Sequence, residues 1–145
     1  MKVQPYVFFD GKCEEAIEFY KSAVGAQVNM LMRFKEAPPM PQQPAEGCAA
    51  GPAPDPNKIM HAEFKVGDAV ILASDGECKG KPSFQGFSLT ITANDDAHAE
   101  KLFGALGKGG QVMAPLMETF FASKFGMLAD KFGVNWMVLA EKKPG

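Results

Sequence analysis

The sequence predicts an α+β chain in which two β-α-β-β-β modules build a curved, cleft-bearing eight-stranded sheet with the helices outside. Three internal matches point to it. Two helical stripes share the spacing i, i+3, i+4, i+7: Ala16, Phe19, Tyr20 and Ala23, then Ala99, Leu102, Phe103 and Leu106. Each stripe runs through glycine into Gln-Val, at Gln27-Val28 and at Gln111-Val112. Lys65-Val66-Gly67 before Val70-Ile71-Leu72 is matched by Lys131-Phe132-Gly133 before Trp136-Met137-Val138. Self-similarity of this kind restricts architecture more than local propensity does. A strand-helix-strand unit with two further strands has one sheet face covered by its helix, so two such units are expected to bring their open faces together around a cleft.

Gln4 to Phe9 is aromatic and β-branched and stops at the turn pair Asp10-Gly11, so it reads as the first strand. The first helix spans Cys13 to Val24, with Gly25 as its C-cap. Ala26 to Phe34 alternates loosely as a second strand. Seven of the eleven prolines then fall between Ala37 and Asn57, and a stretch so short of donors is expected to be a long surface loop. Met60 to Val66 and Ala69 to Ser74 flank Gly67-Asp68, a hairpin turn pair. After a polar linker from Asp75 to Gln85, Phe87 to Thr92 is a fifth strand and the pattern repeats, with Gln111 to Met117 as an apolar strand. One domain over 1–145 is expected, with module one at 1–75, the proline-rich loop 37–57 inside it, and module two at 86–141.

Composition excludes several functions. Fifteen Lys plus Arg against seventeen Asp plus Glu, with no basic block, give no run of charges to neutralise phosphates, so nucleic acid is not an expected partner. Cys13, Cys48 and Cys78 are odd in number and lack CxxC spacing, which points to reduced thiols in a cytoplasm rather than a disulfide framework or zinc knuckle. Strand alternation begins too early for a signal peptide to be expected, and no apolar run approaches the ~20 residues of a membrane span. No glycine-rich phosphate loop, GxSxG elbow or catalytic Cys/His pairing is visible.

Several short motifs together resemble one family over nearly the whole chain. Phe8-Phe9-Asp10-Gly11, Glu14-Glu15-Ala16 and Glu18-Phe19-Tyr20 form its opening. His61-Ala62, Gly67-Asp68 and Ala73-Ser74-Asp75 match its middle hairpin, and Gly86-Phe87-Ser88-Leu89 its fifth strand. Pro115-Leu116, Glu118-Thr119-Phe120, Phe125-Gly126-Met127, Asp130, Phe132-Gly133-Val134 and Trp136-Met137 match its C-terminal signature. This is similar to the PhnB-like branch of the vicinal oxygen chelate superfamily, which includes glyoxalases, bleomycin-resistance proteins and dioxygenases. The resemblance implies the paired-module fold, a homodimer and a small-molecule cleft. It implies no particular reaction, since members of the branch carry names, a ubiquinone-pathway methyltransferase among them, that the fold does not support.

Enzymes of that superfamily hold a divalent metal with His, Gln or Glu from the first, fourth, fifth and eighth strands. The repeat puts Gln4 or Pro5, Ile71 or Leu72, Phe87, and Met137 at those positions. One amide is not a site for a hard cation, so no metal or other cofactor is expected. A displaced site would use His61, Glu63, Glu118 or Asp75; the alternative is that His61, Glu63 and Lys65 are the wet face of an amphipathic strand. Asp75, followed by Gly76, reads as a turn residue, His98 as a solvated helix residue, and Trp136 as core on the face opposite Met137. Glu118 beside Thr119-Phe120-Phe121 is an acid or base candidate at the mouth of the cleft, with His61 as the other catalytic candidate. Tyr6, Phe8, Phe87, Leu89, Phe121 and Met137 are the expected ligand contacts. The functional expectation is a cytoplasmic, homodimeric small-molecule binder, with a metal-dependent lyase or dioxygenase and a drug- or metabolite-sequestering protein as alternatives.

Overall fold

Each half of the chain hydrogen-bonds into a four-stranded sheet carrying one helix. The computed structural model describes residues 1, 3–9, 11–36, 56–75 and 84–142, and the chain divides into two compact units, Met1–Pro82 and Ser83–Gly145. Nearly all of the proline-rich loop expected at 37–57 lies outside the described residues, as do Cys48 and Cys78.

The first unit contains β1 (Tyr6–Phe8), α1 (Cys13–Val24), β2 (Gln27–Arg33), a single 3-10 turn (Phe34–Glu36), β3 (Ile59–Val66) and β4 (Ala69–Ser74). Its strand order is β1-β4-β3-β2, with β1 parallel to β4 and the other pairs antiparallel. The second contains β5 (Leu89–Ala93), α2 (Asp96–Gly107), β6 (Gln111–Met117), β7 (Ala122–Ala129) and β8 (Asn135–Glu141), in the order β5-β8-β7-β6 with β5 parallel to β8. The two orders are the same, so the repeated hydrophobic rhythm corresponds to a repeated topology. All eight expected strands are present, in two sheets of four.

The helices form where the stripes predict them, with small rotations. In α1 the buried side chains are Cys13, Ala16, Ile17, Tyr20 and Ala23, while Phe19 is half-buried; Phe103 is half-buried at the matching place in α2. Tyr20 stacks on Phe64 of β3 at 5.8 Å, which fixes the covered face of that sheet as the one carrying Val7, Ala62, Phe64, Ile71 and Ala73. Gly25 ends α1 in the left-handed conformation (φ 69°), which a glycine adopts without a Cβ penalty. The start of α1 lacks a local cap: Lys12 contributes no side-chain acceptor. Asp75, read from sequence as a turn residue, takes that role from across the unit, accepting from Cys13 N at 2.7 Å and Ile59 N at 2.8 Å. By contrast α2 is capped locally, since Asp95 accepts from His98 N at 2.7 Å and His98 Nδ1 accepts from Asn94 N at 3.1 Å. His98 is thus part of a helix cap as well as a surface residue.

Arg33 at the end of β2 forks onto both carboxylate oxygens of Glu14 on α1. The hydrogen bond and charge of Arg33 hold the Glu14 carboxyl below its ordinary value. A depressed carboxyl stabilises the fold above its unfolded pKa and loses that contribution as pH falls through the folded value. Both groups face solvent, so the effect is small and salt-sensitive. Comparing urea midpoints of wild type and Arg33→Met across an acid series is expected to show a gap at neutral pH that closes below the usual Glu range.

In the second unit α2 packs on β5, β7 and β8. Gly126 in β7 permits the close approach: a Cβ there would lie 2.6 Å from Phe103 Cε2 and 3.1 Å from Leu116 N. Trp136, 1% exposed, stands level with Leu128 across β7/β8 on the same covered face as Val138 and Ala140. Pro115 is accommodated because β6 is an edge strand whose ladder is interrupted between Ala114 and Met117. The β7–β8 connection is longer than the two-residue Gly67-Asp68 turn of the first unit, and Asp130 organises it. Its Oδ1 accepts from Phe132 N (2.8 Å) and Val134 N (3.1 Å), and its Oδ2 from the Trp136 indole N–H (2.8 Å).

Candidate functional site

Strand alternation leaves each sheet with one face turned away from its helix, and the predicted site residues divide between those faces. In the first unit, Tyr6 and Phe8 of β1 share the uncovered face with His61 and Glu63 of β3 and Leu72 of β4. Tyr6 Oη lies 3.0 Å from His61 Nδ1, with the two rings 5.6 Å apart, and the Tyr6 and Phe8 rings are 4.8 Å apart. The bond to the phenol fixes the orientation of the imidazole and leaves Nε2 as its other polar atom. Glu63 Oε2 accepts from Asn29 Nδ2 at 3.3 Å. Alternation in β3 is as the sequence predicts: Ala62 and Phe64 are buried, His61 and Glu63 half-buried, and Lys65 exposed.

In the second unit the uncovered face carries a pocket of about 430 Å³ lined by Gly86, Phe87, Ser88, Met113, Met127 and Met137, together with parts of Leu128, Asn135 and Trp136. Phe87 and Met137, both expected ligand contacts, are brought together in it. Phe87 precedes β5 instead of opening it, because Asn135 Nδ2 donates to Phe84 O (3.0 Å) and Phe87 O (3.4 Å) and holds that segment in a turn. Leu89 stands level with Trp136, whereas Thr90 is level with Met137, so Leu89 belongs to the α2 side of the sheet. Glu118 is exposed one residue beyond β6. Phe121 makes edge-on contacts with Phe120 at 5.1 Å and Phe125 at 5.2 Å, in a turn closed by Thr119 and Ala122. Phe120 itself is 91% exposed.

Sequence reasoning missed Met113, Met127 and Asn135. A signal existed for Met127, whose distance from the hairpin puts it opposite Met137. One existed for Met113 as well: alternation from Val112, which is level with buried Leu128, turns Met113 to the uncovered face.

The superfamily's four metal positions do not fit a hard divalent cation. Ile71 is 4% exposed on the face toward α1, Leu72 and Phe87 have no donor, and Met137 offers a thioether. Gln4 has its Nε2 buried with no hydrogen-bond partner among the described residues, and remains a single amide. Those residues also contain no group of three or more His, Cys, Asp and Glu side chains placed to share an ion, and Asp75 is committed to two backbone N–H groups. None of the helices described is long and apolar enough to cross a membrane.

Three solved structures place the chain. It is similar to protein PA1353 from Pseudomonas aeruginosa, with 35% identity, 99% of each chain covered and a TM-score of 0.82. A Bacillus cereus PhnB protein superposes with a TM-score of 0.76 at 25% identity, covering 97% of this chain and 99% of that one. A glyoxalase/bleomycin resistance/dioxygenase domain from Frankia has a TM-score of 0.63 at 13% identity over 100% of this chain and 95% of that one, a likeness of fold alone. Residues 1–139 match the family model described as 3-demethylubiquinone-9 3-methyltransferase. With the duplicated topology and these matches together, the chain belongs to that family, shares it with PhnB-like relatives, and has the fold of the glyoxalase/bleomycin resistance/dioxygenase domains.

Proposed function

We propose that this protein binds a small, largely apolar organic molecule and acts as a homodimeric, cytoplasmic binding protein. The observation that carries the reading is the pocket of about 430 Å³ on the uncovered sheet face of the second unit. Its size falls in the range of ligand sites, roughly 300–1,000 Å³, and its lining has the usual composition of apolar walls with a few neutral polar groups. Ser88 and Asn135 are those polar groups, and no charged side chain lines the pocket. Methionine walls adapt to flat, polarizable ligands. The Tyr6, Phe8 and His61 cluster supports the same reading as a second aromatic surface. The methyl transfer in the family's description is not adopted, because membership in a fold family does not specify a reaction. Exposed Val112, Met117 and Phe120 favour association with a second copy.

Native mass spectrometry of untagged protein taken directly from cells tests the reading. A mass of two chains with a stoichiometric organic adduct is expected. The identified adduct should raise the thermal midpoint, since a ligand at ~100 times its Kd stabilises by ~2.7 kcal/mol. Met137→Lys and Phe87→Ala are each expected to weaken it at least tenfold. Unchanged affinity in both variants would remove this pocket from consideration.

A further inference from the structure

We infer that the pocket of the second unit also holds a soft monovalent metal ion, Cu(I) or its redox-inert counterpart Ag(I), on the thioethers of Met113, Met127 and Met137. This goes beyond organic-ligand binding and does not depend on it. Met127 and Met137 are direct partners across β7 and β8. Val112 pairs with Leu128 and Ala114 with Met127, so the register slips at Met113. A bulge of this kind sets two residues of one strand against one of its neighbour. Val112 faces α2 with its partner Leu128, so Met113 turns to the uncovered face and lines the same pocket as Met127 and Met137. Met127 and Met137, directly opposite across β7 and β8, have Cβ atoms about 4.5–5.5 Å apart, and Met113 adjoins Ala114, the partner of Met127, so the three thioethers open onto one pocket.

The donor chemistry selects the ion. Thioether sulfur is soft, polarizable and neutral, and it favours Cu(I) over Mg²⁺, Ca²⁺ or Mn²⁺, which require oxygen ligands. No carboxylate, imidazole or amine lines the pocket to recruit a hard cation. Phe87 supplies an apolar wall beside the thioethers. Met137 also falls at the eighth-strand position where the superfamily's enzymes carry a hard ligand, so the same place in the fold offers a soft donor.

The test uses the full chain with Cys48→Ser and Cys78→Ser, because thiolates would outcompete thioethers for silver. Cys13 stays: it is wholly buried, and burial with Asp75 and Glu14 nearby keeps the thiol protonated. Silver nitrate is titrated in chloride-free buffer while the ¹³C-methyl resonances of the nine methionines are followed. The Met113, Met127 and Met137 methyls are expected to shift together and saturate at one Ag(I) per chain. Anaerobic competition against a chromophoric Cu(I) chelator should give the same stoichiometry. Met127→Leu and Met137→Leu, which keep the bulk of the apolar wall, should each weaken Ag(I) binding at least tenfold while leaving the urea midpoint followed by Trp136 fluorescence close to that of the wild type. Shifts spread over all nine methionines, saturation away from one equivalent, or unchanged affinity in both leucine variants would overturn the assignment.

Discussion

Asp130→Ala is expected to destabilise the second unit by about 3–5 kcal/mol, since each buried donor left without a partner costs roughly 1–3 kcal/mol. Asp130 is 3% exposed and accepts three hydrogen bonds, from Phe132 N, Val134 N and the Trp136 indole. Alanine removes all three acceptors and leaves the indole N–H inside a core where Trp136 is among the largest fully buried side chains. Asn retains one carbonyl oxygen, so Asp130→Asn should lose roughly half as much. Trp136 is the chain's single tryptophan, so urea unfolding followed by its fluorescence reports the affected region directly. A loss under about 1 kcal/mol for Asp130→Ala would mean that the loop relaxes and water satisfies the freed donors. The effect matters for the pocket because Asn135 and Met137 flank Trp136, and the loop that Asp130 ties sets where β8 begins.

The repeat made the fold legible because burial imposes period on sequence. Both helical stripes and both hairpins show that period, and the two strand orders agree as a consequence. Strand ends were less legible: Phe87 has the aromatic character of a strand residue, yet two hydrogen bonds from Asn135, 48 and 51 residues away in sequence, hold it outside β5. Of the candidate site, Phe87 and Met137 were readable from alternation and family motifs, as was the place of Tyr6 and Phe8. The Tyr6–His61 contact was not, because it joins β1 to β3 across β4, and a diagonal contact leaves no spacing to count.

Asp75→Ala is expected to cost the first unit about 2–4 kcal/mol, from two backbone donors left unpaired in a buried setting. Asp75 is 5% exposed, and its carboxylate joins the start of α1 at Cys13 N to the start of β3 at Ile59 N. It also sits where the helix dipole favours negative charge. The sequence held a clue in what it lacked: Lys12 stands at the cap position with no oxygen to offer, so the first turn of α1 requires an acceptor from elsewhere. A double-mutant cycle separates this role from simple packing. If Asp75 acts as a remote cap, Lys12→Asp should recover about 1 kcal/mol in the Asp75→Ala background and add little to wild type. Amide exchange at Cys13 and Ile59 should quicken in Asp75→Ala before global unfolding does. Equal gains from Lys12→Asp in both backgrounds would show that the two positions act independently, and that Asp75 serves the β3 junction alone.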